Sequence, residues 1–307
     1  MAAIAIVFLT VRPSFELFRF ARTLASATYS VYVCVDDNSY TLPEYNSEKI
    51  QVLRFEKGPP ERNGFKNTVA RIKCASSRCK ALYFFSKLNT LYPYVWMLEE
   101  DVFLPSIHTL PNIDSKYPDQ DLLSPIHWLN PTGDVSKWQW KRAVGYVDPP
   151  WAASMVCGVR VSRRLLDCIA MYAKQHKTLF FDEVMFNTLA LQNDLKVGTP
   201  DEMRGIQAKH DWKIEELNLF GLYHPVKNLY TQMYFRRMLL TPDTSVPIFS
   251  NSLHDLLNSE PSVENASTEE DAENVQEQES SEVVRNDEPC AEEGGADPTL
   301  CLATEAV

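Results

Sequence analysis

Tyr94-Val95-Trp96-Met97-Leu98 runs directly into Glu99-Glu100-Asp101, and apolar sequence resumes at Val102. A short apolar run rich in β-branched and aromatic residues predicts a buried strand. The three acids then stand where that strand leaves its sheet, the edge at which open α/β sheets bind ligands. Adjacent carboxylates repel one another unless a cation neutralises them. Hard oxygen donors suit Mg2+ or Mn2+, ions commonly shared with substrate phosphates. A solvated acidic turn is the plainer alternative. The apolar residues on both sides, which put the acids at the edge of a core, favour the metal.

The rest of the chain reads as alternating strands and helices. Ile4 to Leu9 predicts a strand buried on both faces, Ser14 a cap for the following helix, and Val31 to Val35 a second strand. A right-handed crossover makes those two strands parallel. Ile50 to Phe55 predicts a third strand, and Gly58-Pro59-Pro60 a break. Residues 67–88 read as one long helix or two short ones, with Lys66, Arg71, Lys73 and Arg78 adding positive charge. Asp114 to Asp121 reads as a polar loop, Leu122 to Ile126 as a short strand, and His127 to Trp151 as an irregular insertion over the sheet edge. Ser154 to Ser162 predicts a strand containing Gly158, where glycine marks close backbone approach or a bulge. Helices follow at Arg163 to Tyr172, from Phe180, and at Asn228 to Leu239, with a short strand at Leu195 to Gly198.

The net charge of -11 is unevenly spread. Residues 255–307 hold 16 acids and one base, Arg285, so residues 1–254 carry +4. A mildly basic body suits anionic small molecules and lacks the dense Lys/Arg stripe of a nucleic-acid binder. Beyond Pro261 the composition is too polar to offset the cost of ordering, which predicts a disordered acidic tail able to recruit a basic partner. The seven cysteines form no CxxC pair, which argues for reduced thiols over a zinc site or a disulfide framework. Ala2 to Leu9 is too short for a membrane span and lacks signal-peptide features, so the expectation is a cytoplasmic protein.

Three further groups sit at strand ends or helix starts. Asp36-Asp37 closes the second strand, where carboxylates either bind a ribose or base or simply shape a turn. Asp182-Glu183 opens a helix, a position that favours acids in any protein. Here Phe180, Phe181, Val184 and Phe186 add apolar bulk. Partial desolvation raises a carboxyl pKa toward the range useful to a general base. His224 lies in Tyr223-His224-Pro225-Val226-Lys227, with a cation nearby.

In order and spacing these residues resemble the glycosyltransferases of the GT-A fold over about residues 4–240. The resemblance implies an α/β fold, Rossmann-like, with a mixed, mostly parallel sheet flanked by helices. It covers a domain of residues 1–242, and residues 243–307 form the tail. It also implies that Glu99-Glu100-Asp101 stands in for the family's DxD motif, with Asp101 the principal ligand of Mn2+ or Mg2+ and Glu99 the second. By the same token Gly158 borders the donor sugar, Glu183 is the catalytic base with Asp182 as runner-up, His224 completes the metal shell and Lys227 touches the diphosphate. Glu-Glu-Asp in place of Asp-x-Asp leaves room for a metal-independent member.

The function expected is transfer of a sugar from a nucleotide-diphosphate donor to a hydroxyl acceptor, with inversion if Glu183 is the base. Val11, Arg12, Asp36 and Asp37 would meet the nucleoside, and Lys66 and Glu100 complete the donor set. Trp138, Trp140 and Trp151 either stack on a sugar or pack the loop, with packing preferred. A nucleotidyltransferase or metal-dependent phosphoester hydrolase, or a non-catalytic scaffold, are the alternatives.

Overall fold

A computed structural model describes residues 4–67, 75–209 and 211–240. The predicted acidic tail and its partner-binding role lie outside the described residues.

The chain opens with β1 (Ile4–Thr10), α1 (Phe15–Leu24) and β2 (Tyr29–Val35), followed by β3 (Ile50–Leu53). Every residue of β1 is buried, as expected of a strand covered on both faces. Ser14 accepts from the Leu17 amide and caps α1. A helical turn, α2 (Gly58–Arg62), replaces the expected break. Its prolines occupy the first helical positions, where the missing N–H costs nothing and the fixed φ suits a helix. Next come α3 (Ser77–Tyr83), which runs into a π-helical turn at Phe84–Leu88, and β4 (Tyr94–Glu99).

Asp114 to Asp121 is not the polar loop the composition suggests, because α4 (Thr109–Lys116) takes in Asp114. Asp114 accepts from buried Arg160 at 2.6 Å, from the Tyr29 hydroxyl and from the Trp96 indole. Asp121 is buried and accepts from Ser162 and Arg164. A buried guanidinium needs a carboxylate partner, and that tertiary pairing overrides local polarity.

Short strands β5 (Leu122–Leu123), β6 (Trp128–Asn130) and β7 (Trp151–Ala153) precede β8 (Gly158–Ser162). The strand expected from Ser154 begins only at Gly158, and β7 precedes it within what reads as the irregular insertion. Then follow α5 (Arg163–His176), α6 (Asp182–Gln192), β9 (Val197–Gly198), β10 (Gly205–Ile206), β11 (Tyr223–His224) and α7 (Leu229–Leu240).

The main sheet has seven strands in the order β3-β2-β1-β4-β8-β5-β9. Pairing is parallel from β3 through β4; β8 runs antiparallel to β4 and β5, and β9 is parallel to β5. This is the mixed, mostly parallel α/β architecture expected. Trp96, Met97 and Leu98 of β4 are fully buried, one apolar cluster on each side of the sheet. Burying a large apolar side chain of this kind contributes roughly 1.5–3 kcal/mol. Residues 184–190 of α6 are all buried, so the helix lies within the core and its first turn is held firmly. No helix among the described residues is long and apolar enough to cross a membrane.

Candidate active site

The carboxyl ends of β1, β2 and β4 share one edge, and Thr10 links them. Its hydroxyl donates to Glu100 at 2.5 Å, and its carbonyl accepts from the Asp36 amide. Beyond this edge, Val11, Asp36, Asp37, Asn38, Glu56, Lys57 and Gly58 line a cleft of about 460 Å³. Arg12 donates to Asp37 at 2.8 Å. The Ser39 hydroxyl, then Arg12, hold the Asp37 carboxyl well below the usual carboxylate range. Lys80, fully buried beneath the cleft, donates to the carbonyls of Val35 and Asp36 and to Asn38. Burial lowers its pKa against the opposing pull of Asp36.

At the end of β4 the acids part company. Burial pushes Glu99 upward, but Arg78 outweighs it and leaves this carboxyl below its ordinary value. Asp101 is raised by burial against the attraction of His224, and Glu100 by burial against its bond from Thr10. Paired main-chain bonds between Phe103 and Tyr223 bring His224 to this corner. Its Nε2 lies 3.5 Å from Asp101 and 3.9 Å from Glu99. Its Nδ1 is buried without a hydrogen-bond partner. Lys227 is exposed, and its charge reaches Asp101.

In the sequence Arg78 is one of several helix cations, yet it organises the site. Buried at the start of α3, it donates to Glu99 at 2.5 Å and to the Val156 carbonyl, and its Nε lies 3.2 Å from Asp182. Burial alone would lower its pKa; Asp182 and Glu99 reverse that and raise it. The base therefore fastens the acidic corner of β4 to the first turn of α6. The next residue, Glu183, is pushed up to about 7 by burial and then by Asp182, against the pull of Arg78 and Arg142.

The remaining sites fall nearby or beneath. The Lys66 carbonyl accepts from Leu179, just before α6. Gly158 pairs with Leu98 in the sheet, and the space a side chain would take is filled by Ile206, Leu98 and Val102. Trp140 and Trp151 are buried and stacked against each other, whereas Trp138 is 37% exposed.

Among the described residues, Glu99, Cys157 and His224 place ligand atoms within 4.8 Å of one another. Cys157 carried no sequence signal, because it meets Glu99 only through the β4–β8 pairing. Burial, then Glu99, raises its thiol, which donates to that carboxylate. With the thiol protonated and one Glu99 oxygen held by Arg78, His224 and the second Glu99 oxygen are the donors left in this group, and Asp101, 3.5 Å from the His224 Nε2, lies outside it. Imidazole nitrogen and carboxylate oxygen are donors that suit Mn2+.

No protein-family model and no curated protein sequence matches the chain. Solved structures similar to it include an active-site variant of LgtC, at 12% identity and a TM-score of 0.41, covering 80% of this chain and 98% of that one. Another is the mannosyltransferase Ktr4p from S. cerevisiae, at 12% identity and a TM-score of 0.34, covering 62% and 65% respectively.

Proposed function

We propose that the chain is a nucleotide-sugar-dependent glycosyltransferase, with residues 1–242 as its catalytic domain and residues 243–307 as an acidic appendage for a basic partner. The observation that carries this reading is the Arg78 bridge. It sets the acidic corner beside a carboxyl that titrates near neutrality, a pairing that suits metal-assisted displacement at an anomeric carbon.

The nucleoside occupies the cleft at Val11, Asp36 and Asp37, with Arg12 at its mouth. Asp101, Glu99 and His224 hold the divalent ion, Mn2+ or Mg2+, which when bound neutralises charge on the leaving diphosphate as a Lewis acid. Lys227 adds positive charge on the same side. Glu183 accepts the proton of the acceptor hydroxyl. A carboxyl titrating near 7 combines a useful ionised fraction with real basicity. Attack assisted by one base, opposite the leaving group, inverts the anomeric centre.

The test is a panel of nucleotide sugars incubated with the full chain, with and without Mn2+, scored for products. Metal-stimulated release of nucleoside diphosphate from one donor class is the expected result. Release of inorganic phosphate or pyrophosphate instead would move the reading to a hydrolase or nucleotidyltransferase. Failure of every nucleotide to raise thermal stability would leave a non-catalytic scaffold.

A further inference from the structure

Four of the six tryptophans gather beside the acid pair, and the fold treats them in two ways. Trp140 and Trp151 are 3% and 4% exposed and serve as packing. Trp128 and Trp138 lie against Trp140 with ring centroids 5.6 and 5.0 Å away, yet remain 43% and 37% exposed. Their own centroids are 5.5 Å apart and tilted by 54°, so together they present an angled ledge rather than a flat apolar surface. Leu129, also exposed, alternates to the other face of β6.

Two separate connections fix this ledge against Glu183. Trp128 pairs with Ala153 across β6–β7, and the next residue, Ser154, donates its amide to the Glu183 carbonyl at 2.9 Å. Trp138 lies 6.0 Å from the ring of Phe181, the residue before Asp182. The Arg142 guanidinium covers that same ring at 4.6 Å, and its charge acts on the Glu183 carboxyl. Trp138 is also held at φ 48°, in the left-handed region that bulky side chains avoid. Such conformations persist where the surroundings over-determine them, and they concentrate at binding sites.

We propose that Trp128 and Trp138 form the acceptor subsite and that the acceptor is a pyranoside. This rests on the glycosyltransferase reading. One face of a pyranose carries axial C–H bonds whose hydrogens suit the electron-rich face of an indole. The equatorial hydroxyls project sideways, where Arg142 supplies donors and the Glu183 carboxylate an acceptor. Buried Trp140 anchors both exposed rings, so little side-chain freedom is lost on binding.

The test uses the full chain without nucleotide, first on an array of neutral and acidic oligosaccharides. The strongest ligand is then titrated by calorimetry and by tryptophan emission. Saturable binding with a matching change in emission is expected. Trp138→Ala and Trp128→Ala should weaken it at least about tenfold, while Trp138→Tyr, which keeps a ring, stays within about threefold. Absence of any oligosaccharide ligand overturns the proposal, as does binding that leaves the emission unchanged or is indifferent to the alanine variants. Donor hydrolysis, followed separately as nucleoside diphosphate release, reports on the transferase reading whatever the acceptor result.

Discussion

Arg78 donates to Glu99 at 2.5 Å from a position almost wholly removed from water. The same guanidinium reaches Asp182, so one buried cation serves two partly exposed carboxylates. Removing one partner of such a group strands the others. Arg78→Gln should cost about 1–3 kcal/mol in urea unfolding, because water screens the two carboxylates it leaves behind. Arg78→Lys should recover only part of it, since an ammonium cannot present the fork that spans both carboxylates. A loss below about 1 kcal/mol for Arg78→Gln would show that the acids are neutralised in another way.

Glu183 links catalysis and stability with opposite signs. Its carboxyl titrates near 7 in the folded protein against 4.5 ordinarily, so the native state holds the proton more tightly than the unfolded chain. The favourable contribution is complete below about pH 4, declines as pH rises, and is gone above about pH 7. Glu183→Gln should therefore raise stability at pH 8 by up to about 3 kcal/mol and leave it nearly unchanged at pH 4. The same variant should reduce turnover by at least about 100-fold. It should also abolish the rise in rate through neutral pH expected of the unaltered chain. Thermal melts at the two pH values and a pH–rate profile check both.

Metal binding has its own readout. Mn2+ at a hundred times its dissociation constant should stabilise the protein by about 2.7 kcal/mol, reversed by chelator. Asp101→Asn and His224→Ala should each remove most of that increment in a thermal melt. An increment that survives both substitutions would locate the ion elsewhere.

Gly205 tests how His224 is positioned. A Cβ there would fall 2.3 Å from the Leu222 carbonyl oxygen and 2.6 Å from the Tyr223 ring, so β10 and β11 would have to separate. Gly205→Ala should cost roughly 1–3 kcal/mol in stability. It should also weaken Mn2+ binding, measured by calorimetry, although the residue carries no ligand atom.

What could be read from the sequence follows the range of the interactions concerned. The strand that ends in Glu99, the cap at Ser14 and the helix opening at Asp182 are local patterns, and the fold contains all three. Arg78 is indistinguishable in the sequence from its neighbouring cations, because only the packing of α3 against the strands buries it. One clue was present: three adjacent acids at a core edge need a countercharge, and a base had to follow them inward. Arg160 and Asp114 were hidden for the same reason, each polar by composition and buried only as a pair. Nothing in the sequence sets Trp128 apart, because exposure within an irregular insertion has no periodicity to announce it.

The main-chain bridge between Phe103 and Tyr223 also sets an order of events. As the ribosome delivers the chain, every strand of the seven-stranded sheet emerges before the segment that carries the imidazole. A nascent protein therefore owns its corner of acids for a time without the imidazole that later stands 3.5 Å from Asp101.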